Sequence, residues 1–505
     1  MLIMGYKMNI CDRKPSVFPN GCVSSCSSIR FLAVLLLLMT GFVGCAHYQI
    51  NAPLTKADPD YGYRGKNLRD PDRKGALFVS LSFSGGGTRA AAFSYGVLEA
   101  LRDTEITLDG RKTNLLDQVN AIAGVSGGSF TAAYYGLFGD RIFSDFEEKF
   151  LKKNIQGELA LRVLANPINW ARLFSAYFDR SDLIAEYYDK NVFDGATFGD
   201  MLKRKGPMIF INATDMVHGT RMAFTQDSFD MICSDLTLFS VARACAASSA
   251  VPIVLSPITL RNYAGSCHYE MPEVLRKAVE ARSLPNRQFD LANNIVPFLD
   301  AEKKPYLHLV DGGLSDNLGL RTMIERITML GDAWNTVKAS DLADIHKVVL
   351  IMVNAETQID TKWDRRESIP PFAAMLDSYS SVSISRYNIE TVALLKESLP
   401  RWAEEIRRGR CAGREVSSEP GGCGDIQFYV IEVKFDAIRD EAERSYFKSL
   451  PTSFKLTADE VEKLRGAARR LLMESKDFKR LLRDLEQSDV LRSGPDPRGS
   501  GKEGR

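Results

Sequence analysis

The chain reads as an α/β protein in which a mainly parallel sheet is sandwiched by helices, followed by a mostly helical C-terminal extension. Three observations carry this reading. Short apolar runs with strand character at 76–83, 119–123, 207–213, 306–310 and 348–353 are separated by stretches of helical periodicity, the pattern of successive βαβ units. Glycine-rich turns stand where the first two of these runs give way to helices, at Ser84-Gly85-Gly86-Gly87 and Gly124-Val125-Ser126-Gly127-Gly128. Beyond Asn354 polar helical stretches dominate, interrupted by a loop between Cys411 and Cys423 and one strand candidate at 427–434.

In chain order, the first segment holds Lys7, Arg13, Lys14 and Arg30 and then an apolar run from Phe31 to Met39 that continues weakly to Val43. A run of roughly 13 residues suits the core of a signal peptide, whereas a bilayer span needs about 20. It ends in Phe42-Val43-Gly44-Cys45, which resembles the lipobox of bacterial lipoproteins despite Phe42 standing where that motif prefers Leu. The resemblance implies that Cys45 carries lipid as the mature N-terminus. The presence of Ala46 after it, in place of the aspartate that retains such proteins at the inner membrane, implies the outer membrane. An incidental cysteine after an uncleaved anchor is the alternative. Residues 51–74 are rich in Pro, Asp, Gly, Arg and Lys without apolar periodicity and read as a tether.

The body begins near Gly75. Phe93, Val97, Leu98 and Leu101 share one face of the helix after the first strand. Trp170, Leu173, Phe174, Tyr177 and Phe178 have helical spacing; such a stripe reads first as core, and otherwise as a lid or lipid-facing surface. Thr457 and Glu460 have the spacing of a capping box, with Val461, Leu464, Ala468, Leu471 and Leu472 on one helical face after it. Residues 493–505 have nothing to bury and read as a disordered tail. Of the cysteines beyond Cys45, Cys411 and Cys423 bracket a short loop that a disulfide could close, and an odd count of five leaves at least one thiol unpaired. Subtracting 64 acidic from 65 basic residues leaves a net charge of +1 with no basic block in the body, so no nucleic-acid partner is expected. No metal is expected from the cysteine spacing, and there is no EF-hand-type calcium loop.

Three motifs carry chemistry. Ser126 sits at a strand-to-helix turn flanked by glycines, the setting that presents a nucleophilic hydroxyl. Gly85-Gly86-Gly87-Thr88-Arg89 opens a helix, where unpaired backbone N–H groups and the helix dipole favour an anion. Its spacing fits neither a dinucleotide loop, which would need Gly where Ala90 stands, nor a P-loop; an oxyanion hole suits it better. Asp311-Gly312-Gly313 ends a further strand, and ligands of open α/β sheets bind outside strand carboxyl ends. Ser126, the glycine loop and Asp311 should therefore converge.

These three motifs in this order resemble the patatin-like phospholipase family, over about Leu77 to Asn354. Ala247-Ser248-Ser249-Ala250-Val251-Pro252 adds to the likeness and, in that family, packs beneath the site. The resemblance implies a serine acyl hydrolase of phospholipids or lysophospholipids, working through a Ser126–Asp311 dyad without a cofactor. Gly85, Gly86, Gly87 and Arg89 would form the oxyanion hole, with Arg89 either contacting a head group or bracing the loop by pairing with an acid. The implied division is a signal peptide at 1–45, a tether at 46–75, the acyl hydrolase domain at 76–355, the helical extension at 356–490 and a tail at 491–505. A thioesterase or neutral-lipid esterase on the same dyad, and a non-catalytic surface lipoprotein, are the rival readings.

The histidines test the dyad against a Ser-His-Asp triad. His47 lies in the tether, His346 just precedes a strand, and His308 lies three residues before Asp311 on the opposite face of one strand. His268 falls in an irregular stretch, which leaves His218, after the strand ending near Ala213, as the one to test.

Overall fold

The computed structural model describes residues 46–68, 76–108, 110–251, 255–280, 286–357, 362–419 and 422–493. Cys45, the leader before it and the tail after Ser493 lie outside these. The strands are β1 (Leu77–Phe83), β2 (Glu105–Leu108), β3 (Arg111–Asn114), β4 (Val119–Val125), β5 (Met208–Asp215), β6 (Arg221–Ala223), β7 (Ile258–Arg261), β8 (Tyr306–Asp311), β9 (Lys347–Asn354) and β10 (Gln427–Lys434). One sheet runs β10-β9-β1-β4-β5-β8-β7, with β6 added to β5, and β2 and β3 form a separate hairpin. Strands β10, β9, β1, β4 and β5 are parallel. Strand β8 is antiparallel to β5, and β7 to β8. The architecture is thus a mixed, mostly parallel sheet between helical layers.

The central strands are apolar along their length because both faces are covered. On β9, Val349, Ile351 and Val353 enter one core, while Val348, Leu350 and Met352 enter the other. The first core is roofed by the helices Gly87–Arg102, Gly127–Phe138 and Ala458–Glu474, the second by the long helix Phe372–Arg410, which contributes Leu395, Trp402 and Ile406. Thr457 and Glu460 form the capping box expected of them. The helix they start lies so close to Gly87–Arg102 that a Cβ on Gly96 would come within 2.6 Å of the Arg465 carbonyl oxygen. The C-terminal region therefore completes the sheet through β10 and the helical layer above it.

Two expectations are corrected. Residues 46–68 are packed on the body: Asn51 donates to Ser234 Oγ (2.9 Å) and the Arg261 carbonyl (3.0 Å), the Tyr63 hydroxyl accepts from the Ile209 amide (2.8 Å), and Arg64 pairs with Asp227 and Asp230. Isolated polar side chains, which carry no periodic signature, do this work. The aromatic stripe is not core: Trp170, Phe174 and Tyr177 are exposed, and Phe178 alone of the aromatics is buried. Spacing defines a stripe but does not say what covers it. The loop between Cys411 and Cys423 closes as the disulfide the sequence allowed, a second one, Cys233–Cys267, forms where no spacing rule suggested it, and Cys245 is the free, buried thiol among the described cysteines.

Candidate active site

The register of β4, β5 and β8 builds the site. Val125 pairs with Asn212, and β5 then overruns β4 by three residues, Ala213 to Asp215. Strand β8 returns antiparallel along that overhang, with Leu309 opposite Asp215 and Asp311 opposite Ala213. Its last residue therefore arrives beside the end of β4. There the Ser126 hydroxyl donates to Asp311 Oδ2 at 2.8 Å.

Ser126 occupies the turn between β4 and the helix Gly127–Phe138 at φ 48°, ψ −121°, a backbone region that non-glycine residues rarely adopt and that is strained. The neighbourhood holds it there. The Ser126 amide donates to Ser248 Oγ (2.9 Å), and that hydroxyl donates to the Asn212 carbonyl (2.6 Å). The Ser126 carbonyl accepts from the Ser129 hydroxyl at 2.6 Å. The stretch around Ser248 also fixes the acid: the Asp311 amide donates to the Ala250 carbonyl (3.0 Å) and the Gly312 amide to the Ser248 carbonyl (3.1 Å). Thr214 Oγ1 donates to the Asp311 carbonyl at 2.9 Å. Pro252, the last residue of that stretch, lies outside the described residues.

Asp311 is 9% exposed and Ser126 4%. Burial raises the Asp311 carboxyl from the ordinary carboxylate range to about 6, opposed by the Gly313 amide and the Ser126 hydroxyl that donate to it. A group at that value is mostly ionised at neutral pH and is a better base than a solvated aspartate.

The glycine loop sits directly on the Ser126 turn. A Cβ on Gly127 would lie 1.9 Å from the Gly87 carbonyl oxygen, and one on Gly85 3.3 Å from Ser126 Cβ. Gly86 and Gly87 have φ of 136° and 59°, which glycine supplies without strain. The Gly85 amide is donated to the Asn317 carbonyl (3.1 Å) and the Thr88 amide to Ser453 (2.9 Å). Among the described residues the amides of Gly86 and Gly87 are left without a protein acceptor. Gly85 is thus a wall of the loop and not a free donor.

Arg89 is also reassigned. Its guanidinium is buried and donates to the carbonyls of Ala355 (2.9 Å) and Leu450 (2.6 Å) and to Thr452 Oγ1 (3.0 Å). It braces the loop, but through neutral oxygens and not through an acid. Burial without a carboxylate partner lowers it to about 10.

Among the described residues no histidine hydrogen-bonds Ser126 or Asp311. His218 Nδ1 lies 3.0 Å from Asp215 Oδ2 and 3.0 Å from Lys304 Nζ, His308 pairs with Thr259 across the strands, and His346 with the Asp425 carbonyl. No group of three or more His, Cys, Asp and Glu among the described residues could hold a metal ion. Asn317 and Ser453, which touch the glycine loop from far along the chain, carry no sequence signal; Asn212 is a buried polar residue in an apolar strand, a signal that could have been read.

No curated protein matches this chain. Among solved structures it is similar to human GIVD cytosolic phospholipase A2, at 13% identity and a TM-score of 0.40, over 84% of this chain and 64% of that one. A second structure, the same human enzyme in complex with methyl gamma-linolenyl fluorophosphonate, aligns at 13% identity and a TM-score of 0.39, over 83% of this chain and 60% of that one. The chain thus spans less than two thirds of the length of either. Residues 81–324, which contain Ser126, the glycine loop and Asp311, match the family model described as patatin-like phospholipase, and the fold around them is patatin-like.

Proposed function

We propose that the protein is a serine acyl hydrolase that cleaves fatty-acyl esters of phospholipids or lysophospholipids. The observation that carries this is the 2.8 Å hydrogen bond from Ser126 Oγ to a buried Asp311 at the mouth of a helix N-terminus. Ser126 Oγ attacks the acyl carbonyl as Asp311 takes its proton. The oxyanion that develops is met by the free amides of Gly86 and Gly87 and by the positive end of the helix that follows Ser126. Collapse expels the alcohol, which receives the proton from Asp311 and leaves an acyl-Ser126 ester. Asp311 then activates the water that releases the fatty acid. No step calls for a cofactor.

The family match over residues 81–324 supports lipid esters as substrate. The apolar run at 31–43 followed by Cys45 supports attachment to a membrane, with Cys45 as the lipidated residue and the outer membrane as its place. A fluorophosphonate probe should label Ser126, and Ser126→Ala should abolish both labelling and hydrolysis; an unchanged ester hydrolysis rate in that variant would overturn the reading. Turnover of phospholipid against acyl thioester and triglyceride separates the phospholipase from a thioesterase or neutral-lipid esterase on the same two residues.

A further inference from the structure

The helices Ile155–Ala165 and Pro167–Leu173 pack on each other as a hairpin whose surface is mostly exposed. Asn154 and Asn166 cap them, accepting from the Gly157 and Ile168 amides. The Asn169 side chain turns inward and donates to the Arg162 carbonyl (3.2 Å). The outer face carries Leu161, Leu164, Ile168, Trp170, Phe174 and Tyr177, all between 45% and 76% exposed. Six large apolar side chains in one contiguous stretch of chain exceed the scattered exposure that folded proteins tolerate without a partner.

The position of the hairpin indicates the partner. The Ser175 hydroxyl donates to the Ala46 carbonyl (2.6 Å), the Tyr48 amide to the Tyr177 carbonyl (2.7 Å), and the His47 ring stacks on Tyr177 at 5.3 Å. The first described residue of the chain is thus fixed on this patch, directly after Cys45 and the apolar run at 31–43. From 155 to 177 the one acid is Glu158, whose carboxylate accepts from Tyr187 (2.6 Å), against Arg162 and Arg172, of which Arg172 pairs with Glu186. Trp and Tyr on an apolar face, with Arg162 beside it, suit the headgroup region of a bilayer.

The hairpin also flanks the reaction site. At its start the Ile155 amide donates to the Phe454 carbonyl (3.1 Å), next to the Ser453 that touches the glycine loop. Just after its end, the Ser181 hydroxyl donates to the Ser256 carbonyl (2.5 Å), a few residues beyond the Ala250 that fixes Asp311.

We infer that residues 161–177 are an interfacial surface that inserts into the lipid bilayer beside the anchored N-terminus and presents the Ser126 site to membrane-packed lipid. This rests on the membrane attachment proposed above. The test uses the full chain on phosphatidylethanolamine–phosphatidylglycerol vesicles with dibrominated acyl chains, which quench only bilayer-embedded tryptophan. Wild type should lose part of its emission on these vesicles and Trp170→Phe should lose none; equal fractional quenching in both, or none in wild type, overturns the inference. This arm needs no catalysis, so it reads out even if Ser126 proves inactive. A variant carrying L164Q, I168Q and F174Q should keep its rate on a soluble short-chain ester and drop at least tenfold on vesicle phospholipid. Parallel loss on both substrates, or a lipid-free dimer of the wild type that this variant dissolves, overturns it.

Discussion

Asp311 is the register partner of Ala213 across an antiparallel pair, and that pairing is what sets its carboxylate 2.8 Å from Ser126 Oγ. A parallel β8 would have carried its carboxyl end away along the overhang of β5. The site thus depends on a strand that runs against its β5 neighbour, and burial of the acid there raises it from the ordinary carboxylate range to about 6.

Asp311→Asn keeps the shape of the side chain and removes the charge. Hydrolysis should fall by several orders of magnitude, as expected when a residue acting as a unit with the nucleophile is lost. Stability should move the other way. With its folded value above the unfolded one, the native state binds the extra proton between about 3.8 and 6, so the wild type loses stability as pH rises through that window. A shift of this size corresponds to roughly 3 kcal/mol at neutral pH. Urea midpoints should show the variant gaining on the wild type from pH 4 to pH 8; a constant gap would contradict the buried ionised carboxylate.

The pH profile should follow the same group. In the proposed mechanism Asp311 serves as the base only when ionised, so kcat/KM should fall as pH drops through about 6. Asp316 is also buried and raised to about 6, while accepting from the Leu320 (3.2 Å) and Arg321 (2.8 Å) amides. It has no bond to Ser126. Asp316→Asn should therefore leave the acid limb in place; a limb that vanishes in that variant would transfer the titration to Asp316.

Much of this was legible in the sequence, for identifiable reasons. Apolar runs and glycine-flanked turns are local, so β1, β4, β9 and the Ser126 turn are found within about two residues of where the structure has them. Strand direction is not local: period-two burial is the same for either orientation, and nothing in 306–311 distinguishes an antiparallel β8. The roles within the glycine loop depend on acceptors more than 200 residues away, the Asn317 and Leu450 carbonyls, which take up Gly85 and Arg89. Backbone acceptors have no residue type to recognise. The short strands β6 and β7 lack the length for a periodic signal.

Gly127→Ala should disable the site through the glycine loop. The added Cβ would meet the Gly87 carbonyl oxygen at 1.9 Å, a backbone contact that no rotamer relieves, so the loop must move off the turn. Displacing oxyanion donors typically lowers kcat by about 100- to 1000-fold. Gly65→Ala, where a Cβ meets nothing within 4 Å, is the control and should retain full activity. Comparable rates in the two variants would remove the loop from the chemistry.

Arg89→Lys should separate bracing from catalysis. A lysine keeps the charge but not the planar fork that reaches Ala355, Leu450 and Thr452 together. Each buried acceptor left unpaired costs about 1–3 kcal/mol. Thermal unfolding should show a clear loss of stability, with the remaining folded enzyme still labelled by a fluorophosphonate; intact stability together with lost labelling would return Arg89 to the reacting atoms.

The two disulfides should differ in what they secure. Cys411–Cys423 closes a separation of 12 residues at the end of the long helix, whereas Cys233–Cys267 closes 34. Chain entropy alone ascribes about 3–4 kcal/mol to loops of these lengths. The second bond also holds the N-terminal segment, because the Leu54 amide donates to the Cys233 carbonyl (2.7 Å) and the Ala57 amide to the Cys267 carbonyl (2.8 Å). Cys233→Ala with Cys267→Ala should therefore raise hydrogen exchange specifically at Leu54 and Ala57, where Cys411→Ala with Cys423→Ala should not. Cys245 is buried, and burial raises its thiol well above the ordinary range, so it should resist alkylation in both double variants while the fold persists. Equal protection of Leu54 and Ala57 in the two would show that the buried side chains of Asn51, Tyr63 and Arg64 hold that segment without the disulfide.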